Sequence, residues 1–150
     1  MRILGIDYGK KNTGLSLSDE LGITAQPLPT LRGLTAEALI KEITQIVSGK
    51  EVEEVVVGLP RNMDGSLGGS GEKTMEFVKK LEEALPCKVS VEDERLTTMM
   101  ADRMLARLGE NPKVRKKKLD RVAAQLILQS YLDRKRMCEG LEDEEKQQGD

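Results

Sequence analysis

The chain has no histidine, no tryptophan and only three aromatic residues among its 150 positions. Without histidine, general-base catalysis by imidazole and zinc sites with histidine ligands are excluded. Carboxylates, lysines, hydroxyls and thiols must therefore carry any chemistry. The aromatic residues are Tyr8, Phe77 and Tyr131, too few for a stacking platform. A nucleic acid would thus be recognised by shape and phosphate rather than by reading its bases.

Cysteines and long apolar runs are equally scarce. The two cysteines, Cys87 and Cys138, have no metal-ligand spacing and are interpreted as reduced structural thiols. No run of 18 apolar residues occurs, which excludes a transmembrane helix. The apolar run after Arg2 breaks at Asp7, too early for a signal peptide. We therefore expect a cytoplasmic protein without a membrane partner.

Charge is distributed unevenly along the chain. The formal net charge is −2, but residues 139–150 contain six acids and one lysine. The preceding 138 residues hold 23 basic and 20 acidic residues, so the body is mildly basic. The acidic end lacks apolar periodicity. We predict one domain over residues 1–136 and a disordered acidic tail over residues 137–150.

The first part of the chain predicts three strands. Residues 2–8 are apolar around Asp7 and predict a buried strand, and residues 15–18 alternate with period two. The turn at residues 11–14 favours an antiparallel hairpin between them. Residues 24–32 predict a third strand, which Pro27 and Pro29 restrict to an edge of the sheet.

Helical periodicity begins near residue 34. Apolar residues recur at helical spacing over residues 34–47, 77–85, 98–107 and 117–136, with Thr35 as a candidate cap of the first helix. Residues 52–59 predict a buried strand and residues 89–91 a short one. The order β-β-β-α-β-α-β-α-α predicts an α/β fold. Its mixed five-stranded sheet has three antiparallel strands, then two βα crossovers, and helices on both faces.

Three acids fall where such a sheet gathers ligands, beyond the carboxyl ends of its parallel strands. Asp7 lies near the end of the first strand, Glu94 ends the last one, and Asp120 opens the final helix. Carboxylates that meet at one edge repel each other unless cations bind, and Mg²⁺ prefers oxygen ligands. A pair of such ions promotes phosphodiester hydrolysis. We predict that all three acids are catalytic and metal-binding.

Each acid also has an ordinary explanation. Asp7 could end a strand and cap a turn, and Glu94 could form a surface ion pair with Arg95. Asp120, in a first helical turn, could complement the helix dipole. Singly these explanations are as good as the functional one or better, and only the joint placement on three elements favours a site.

Two further segments suit a phosphate-rich ligand. The KVRKKK run of residues 113–118 has five cations in six positions. Such a run is usually a solvated face, but beside a metal site it could hold a nucleic-acid backbone. The glycine-rich loop of residues 61–71 is not a Walker A loop, yet its backbone N–H groups could contact phosphate. The predicted substrate-binding residues are Lys10, Lys11, Asn62, Gly65, Arg95, Lys116, Lys117 and Lys118.

Four blocks of the sequence resemble the characteristic blocks of the YqgF (RuvX) family. They are GIDYGKKNTGLSLSDELGITAQPL, VVVGLPRNMDGSLGGSGEK, VEDERLTT and LDRVAAQLILQSYLDR. These bacterial proteins are regarded as pre-16S rRNA nucleases or Holliday-junction-resolvase-like proteins. The resemblance covers nearly all of residues 1–136 and implies a ribonuclease-H-like fold and Mg²⁺- or Mn²⁺-dependent phosphodiester cleavage. The family's acidic positions fall on Asp7, Glu94 and Asp120.

The resemblance implies a cytoplasmic nuclease that processes the 5′ end of the 16S rRNA precursor, as a monomer or a homodimer. Three alternatives stay open. The substrate could be branched DNA, with the protein acting as a Holliday junction resolvase. The chain could be a non-catalytic assembly factor that binds ribosomal RNA through its basic segment. An actin-like ATP-binding module is the third, although 150 residues are too few for two lobes.

Overall fold

The computed structural model describes the backbone of residues 2–148 and the side chains of residues 2–95 and 98–140. The strands of this part are Arg2–Asp7 (β1), Asn12–Ser18 (β2), Ala25–Arg32 (β3), Val52–Leu59 (β4) and Lys88–Asp93 (β5). Its helices are Ala36–Gly49 (α1), Gly69–Ala84 (α2), Arg95–Arg107 (α3) and Pro112–Gln148 (α4). None of the described helices is both long and apolar enough to cross a membrane.

The strands form one mixed sheet in the order β3-β2-β1-β4-β5. The first three strands pair antiparallel, and β4 pairs parallel with both β1 and β5. This confirms the predicted α/β architecture. The proline-containing β3 lies at an edge, where a missing backbone N–H costs no ladder hydrogen bond.

Strand periodicity divides β1 between the two faces of the sheet. Leu4 and Ile6 point into a core formed with α1 and α2. Tyr8, just past the strand end, packs against this core and stacks on Phe77, with the ring centroids 4.1 Å apart. Ile3 points to the opposite face and packs against α4. Alternation from Ile3 therefore directs Asp7 to the α4 face.

Helix α4 approaches the sheet closely at Gly5. A Cβ atom there would lie 2.7 Å from the Leu128 Cβ and 2.5 Å from the Ser16 Oγ. The buried Ser16 hydroxyl donates a hydrogen bond of 2.7 Å to the carbonyl oxygen of Ala124. Only glycine permits this approach. The contact holds α4 one turn after Asp120, and so it positions that residue.

A buried polar network holds the second half of α4. The Tyr131 hydroxyl lies 2.7 Å from both carboxylate oxygens of Glu54, a buried residue on β4. Burial and this hydrogen bond raise the pKa of Tyr131 to about 12. Arg134 pairs with the buried Glu92 of β5 at 2.5 Å. Because buried polar groups are costly when unpaired, these contacts define the register of α4 on the sheet.

The structure corrects the predicted start of the final helix. Helix α4 begins at Pro112 rather than near residue 117, and the Asn111 side chain accepts a hydrogen bond of 3.0 Å from the Val114 N–H. Asparagine before proline is a typical helix start. Asp120 therefore lies in the third turn, beyond the region where a carboxylate complements the helix dipole.

The disorder of the acidic tail stays a prediction. The backbone of α4 continues to Gln148, through glutamate, lysine and glutamine residues that favour helix. The side chains beyond Gly140 and residues 149–150 lie outside the described part. The division of the chain at residue 136 stays a prediction.

Candidate active site

Asp7, Glu94 and Asp120 line one pocket of about 140 Å³. Asp7 is the last residue of β1, Glu94 follows β5 directly, and Asp120 comes from α4. The remaining lining residues are Thr98, Leu119, Ala123, Leu126 and Ile127. The three acids predicted from the sequence are thus brought together at the carboxyl ends of the parallel strands.

Small residues allow the carboxylates to approach one another under α4. Gly14 lies opposite Asp7 on β2, and a Cβ added to it would be 3.5 Å from the Ala124 Cβ. On β4, a Cβ added to Gly58 would lie 2.3 Å from the Ile127 Cδ1 and 3.1 Å from the Glu94 Oε1. A side chain at Gly58 would therefore displace Ile127 or Glu94, whereas a methyl group at Gly14 would make only ordinary van der Waals contacts.

Both acids at the strand ends hold protons more tightly than free carboxyls do. Burial, and then the charge of Asp120, raises the pKa of Asp7 from 3.8 to about 6. Burial, and then the charges of Asp7 and Asp93, raises the pKa of Glu94 from 4.5 to about 7. Among the described side chains, no ion pair involves any of the three acids. Burial and mutual repulsion therefore oppose full ionisation of the acids, and a bound cation would relieve both effects.

The donor chemistry of the pocket fits Mg²⁺ or Mn²⁺, since it consists of carboxylate oxygens held on three separate elements. However, no three histidine, cysteine or acidic side chains among the described residues form a compact metal-binding group. Substrate phosphate oxygens usually complete the coordination of Mg²⁺ in such sites.

The predicted phosphate-binding cations divide into two groups. Lys10 and Lys11 are exposed in the turn after Asp7, and Lys116 and Lys117 are exposed on α4. The latter two precede Asp120 by one helical turn, so they lie on its side of the helix. Lys118, in contrast, forms an ion pair with Glu110. The first four lysines are the ones available to a ligand.

Arg95, Asn62 and Gly65 are engaged within the protein. The Arg95 guanidinium contacts the Asp93 carboxylate at 2.7 Å and donates to the carbonyl oxygens of Asn62 and Met63. The Asn62 N–H donates to the Ser66 carbonyl, and the Gly65 N–H donates to the Asn62 carbonyl. These N–H groups therefore point into the loop rather than toward a phosphate.

Sequence reasoning missed Asp93, which connects this loop to β5. Besides Arg95, it faces Arg61, whose Nε lies 3.9 Å from its carboxylate. Arg61 in turn donates a hydrogen bond of 3.0 Å to the Gly65 carbonyl. The sequence signal for this role was the spacing of Asp93 and Arg95, two residues apart at a strand end. The second arginine, Arg61, lies 32 positions before Asp93, so its contact could not be predicted from local sequence.

Comparison with known proteins gives consistent matches. Residues 1–134 match the family model described as "RuvX: Holliday junction resolvase". One relative, from Clostridium botulinum (strain Alaska E43 / Type E3), carries the name of a pre-16S rRNA nuclease. It is 48% identical over 134 residues, which cover 89% of this chain and 98% of that protein. One of the same name from Halalkalibacterium halodurans is 46% identical over 139 residues, covering 91% and 99%.

Solved structures show the same fold at much lower sequence identity. RuvC of T. thermophilus in complex with a Holliday junction aligns with a TM-score of 0.60 and 16% identity, covering 91% of this chain and 96% of that one. This confirms the ribonuclease-H-like fold. Since a family model matches nearly the whole chain and close relatives match along their full length, the chain belongs to the RuvX family.

Proposed function

We propose that this chain is a metal-dependent nuclease that hydrolyses phosphodiester bonds in the 5′ region of the 16S rRNA precursor. The observation that carries the proposal is the pocket in which Asp7, Glu94 and Asp120 meet, because burial and mutual repulsion there favour divalent cations. The names of relatives with 46–48% identity support the RNA substrate.

In this proposal the three carboxylates hold Mg²⁺ or Mn²⁺, as two ions. Bound cations of this kind activate water for attack on phosphorus and stabilise the leaving oxygen. Asp7 and Glu94 would contribute carboxylate oxygens, which bind a cation only when ionised, so their raised pKa values would weaken metal binding as the pH falls below about 7. Asp120 contributes from the exposed side of the pocket.

Exposed lysines position the substrate backbone around the pocket. Lys10 and Lys11 follow Asp7, and Lys116 and Lys117 precede Asp120, so both pairs flank the carboxylates along the chain. Lysine contacts to phosphate are independent of base sequence and weaken with salt. The network of Arg61, Asp93 and Arg95 holds the neighbouring loop in place rather than binding phosphate itself.

Branched DNA is the second candidate substrate, since the matching family model is described as a Holliday junction resolvase. A direct comparison separates the two. A 5′-extended 16S leader RNA and a four-way DNA junction are each incubated with the protein and Mg²⁺ or Mn²⁺, with EDTA as the control, and kcat/KM is measured. We expect metal-dependent cleavage with the RNA preferred.

Preferential cleavage of the junction would replace the RNA assignment by the DNA one. Cleavage of neither, at saturating metal, would contradict the nuclease proposal. The remaining alternative, a non-catalytic RNA-binding factor, would then be supported if the leader RNA still bound the protein and binding fell when Lys116 and Lys117 were changed to alanine.

A further inference from the structure

A second pocket, of about 330 Å³, adjoins the carboxylate pocket. The two share Glu94, Thr98 and Leu119, so they form one continuous depression. We call the second one the methionine pocket. Its remaining lining residues are Arg61, Met63, Arg95, Met99 and Asp102. A ligand with a phosphate at the carboxylates would place its adjoining group in this pocket.

The walls of the methionine pocket come from the glycine-rich loop, from α3 with the residue before it, and from Leu119 of α4. Met63 lies on the glycine-rich loop with 70% of its surface exposed, and Met99 projects from α3. Exposure by itself does not mark a site, since Met100 and Met104 are equally exposed on α3 and lie outside the pocket. What distinguishes Met63 and Met99 is that both line the depression next to the carboxylates.

The loop wall is held in a defined position. Arg95 donates to the Met63 carbonyl oxygen at 3.2 Å while Asp93 holds its guanidinium. Gly65, whose φ of +92° favours glycine, turns the loop back so that its carbonyl accepts from Arg61. The backbone of Met63 is thus tied to the β5–α3 junction. The pocket is a built feature of the fold and does not depend on a free loop.

We propose that the methionine pocket binds an unpaired nucleobase of the nucleotide adjoining the scissile phosphate. This inference rests on the proposed function and specifies its substrate class. Thioethers are polarizable and pack well on flat rings, and arginine planes stack on bases. The aromatic side chains are engaged elsewhere, since Tyr8 and Phe77 stack on each other and the Tyr131 hydroxyl donates to Glu54.

The chemistry of the pocket also indicates what is rejected. A base that is paired and stacked in a duplex cannot enter a lateral pocket without losing its pairing and stacking. A substrate with a single-stranded nucleotide at the cut is therefore preferred. Recognition through an apolar contact is tolerant of base identity. Binding of a base in this pocket therefore agrees with the expectation that the substrate is recognised by shape and phosphate and not by its base sequence.

The test is an abasic scan of one RNA. A hairpin with a single-stranded 5′ extension is prepared with an abasic nucleotide at one position at a time, and kcat/KM is measured with Mg²⁺ or Mn²⁺. We expect the wild type to lose about 10-fold at one position next to the cut, the magnitude of a lost stacking contact, and little elsewhere. Met63→Ser and Met99→Ser should lower cleavage of the intact RNA and remove this discrimination.

Met100→Ser is the matched control, because it makes the same change at the neighbouring, exposed position outside the pocket. It should cleave and discriminate as the wild type does. Equal cleavage of all abasic RNAs by the wild type, or discrimination retained in both Met63→Ser and Met99→Ser, would overturn the inference. Loss of cleavage by the wild type on every RNA would instead overturn the proposed function, and this inference with it.

Discussion

Asp7→Asn is expected to lower metal-dependent cleavage by at least about 100-fold, since several kcal/mol of transition-state stabilisation depend on the cations. The substitution keeps the size of the side chain and removes the charge at the end of β1. It leaves Glu94 and Asp120 with too little negative charge for two divalent ions. The measurement is kcat on the 5′-extended leader RNA at saturating Mg²⁺ or Mn²⁺.

The same substitution should stabilise the metal-free protein at neutral pH. The pKa of Asp7 is raised from 3.8 to about 6, so the folded state binds more protons than the unfolded state between these values. Wild-type stability therefore falls as the pH rises from about 4 to about 6 and stays low above. The asparagine side chain of the variant does not titrate. Raising the pH from 4 to 8 should therefore shift the difference in unfolding free energy between variant and wild type by on the order of 2–3 kcal/mol in favour of the variant. Urea unfolding with EDTA at both pH values measures this.

Asp133→Asn is the matched control, an exposed carboxylate on α4 whose partner is Arg136. It should leave cleavage unchanged. Equal cleavage by Asp7→Asn and the wild type would remove Asp7 from the catalytic group. Normal cleavage together with the expected gain in stability would show that burial of Asp7 destabilises the protein without serving catalysis.

Gly5→Ala is expected to reduce both stability and cleavage, although Gly5 contacts no substrate. Its new methyl group would lie 2.7 Å from the Leu128 Cβ and 3.1 Å from the Ala124 carbonyl oxygen. Helix α4 must then move away from β1, at a cost of about 1–3 kcal/mol. Because Asp120 lies one turn before Ala124, its carboxylate moves with the helix. A shift of about 1 Å can lower kcat by up to about 100-fold.

Gly49→Ala provides the control for this substitution. Gly49 is the last residue of α1, and a Cβ there would meet no atom within 4 Å. Alanine should leave cleavage unchanged and raise stability by about 0.5–1 kcal/mol. Thermal unfolding and kcat are compared for both variants. Wild-type cleavage by Gly5→Ala would show that the close approach of α4 is not needed to position Asp120.

The convergence of Asp7 and Glu94 was predictable because parallel strands end at one edge of the sheet. Period-two alternation in β1 assigns Asp7 to one face, and a crossover connection places β5 beside β4 in the same direction. The family resemblance pointed to the same residues. These arguments use local pattern and chain direction, which the sequence carries directly.

Contacts between distant residues were not predictable in this way. Glu54 lies within a strand that was predicted to be buried, but its partner Tyr131, 77 positions later, could not be identified from the local sequence. Arg95 was predicted to bind substrate phosphate, yet in the structure it donates a hydrogen bond to the loop that contains Met63. Both outcomes depend on the register of α4 and on loop geometry, which single residue types do not encode. The early start of α4 was readable in Asn111-Pro112 and was missed.

The central claim is that Asp7, Glu94 and Asp120 together hold the cations for phosphodiester cleavage. The most direct measurement is a crystal structure of the protein with Mn²⁺ and a non-cleavable RNA, analysed for anomalous density from manganese. We expect manganese contacting carboxylate oxygens of all three residues and the RNA phosphate. Manganese bound elsewhere, or none beside these acids with the RNA in place, would contradict the claim.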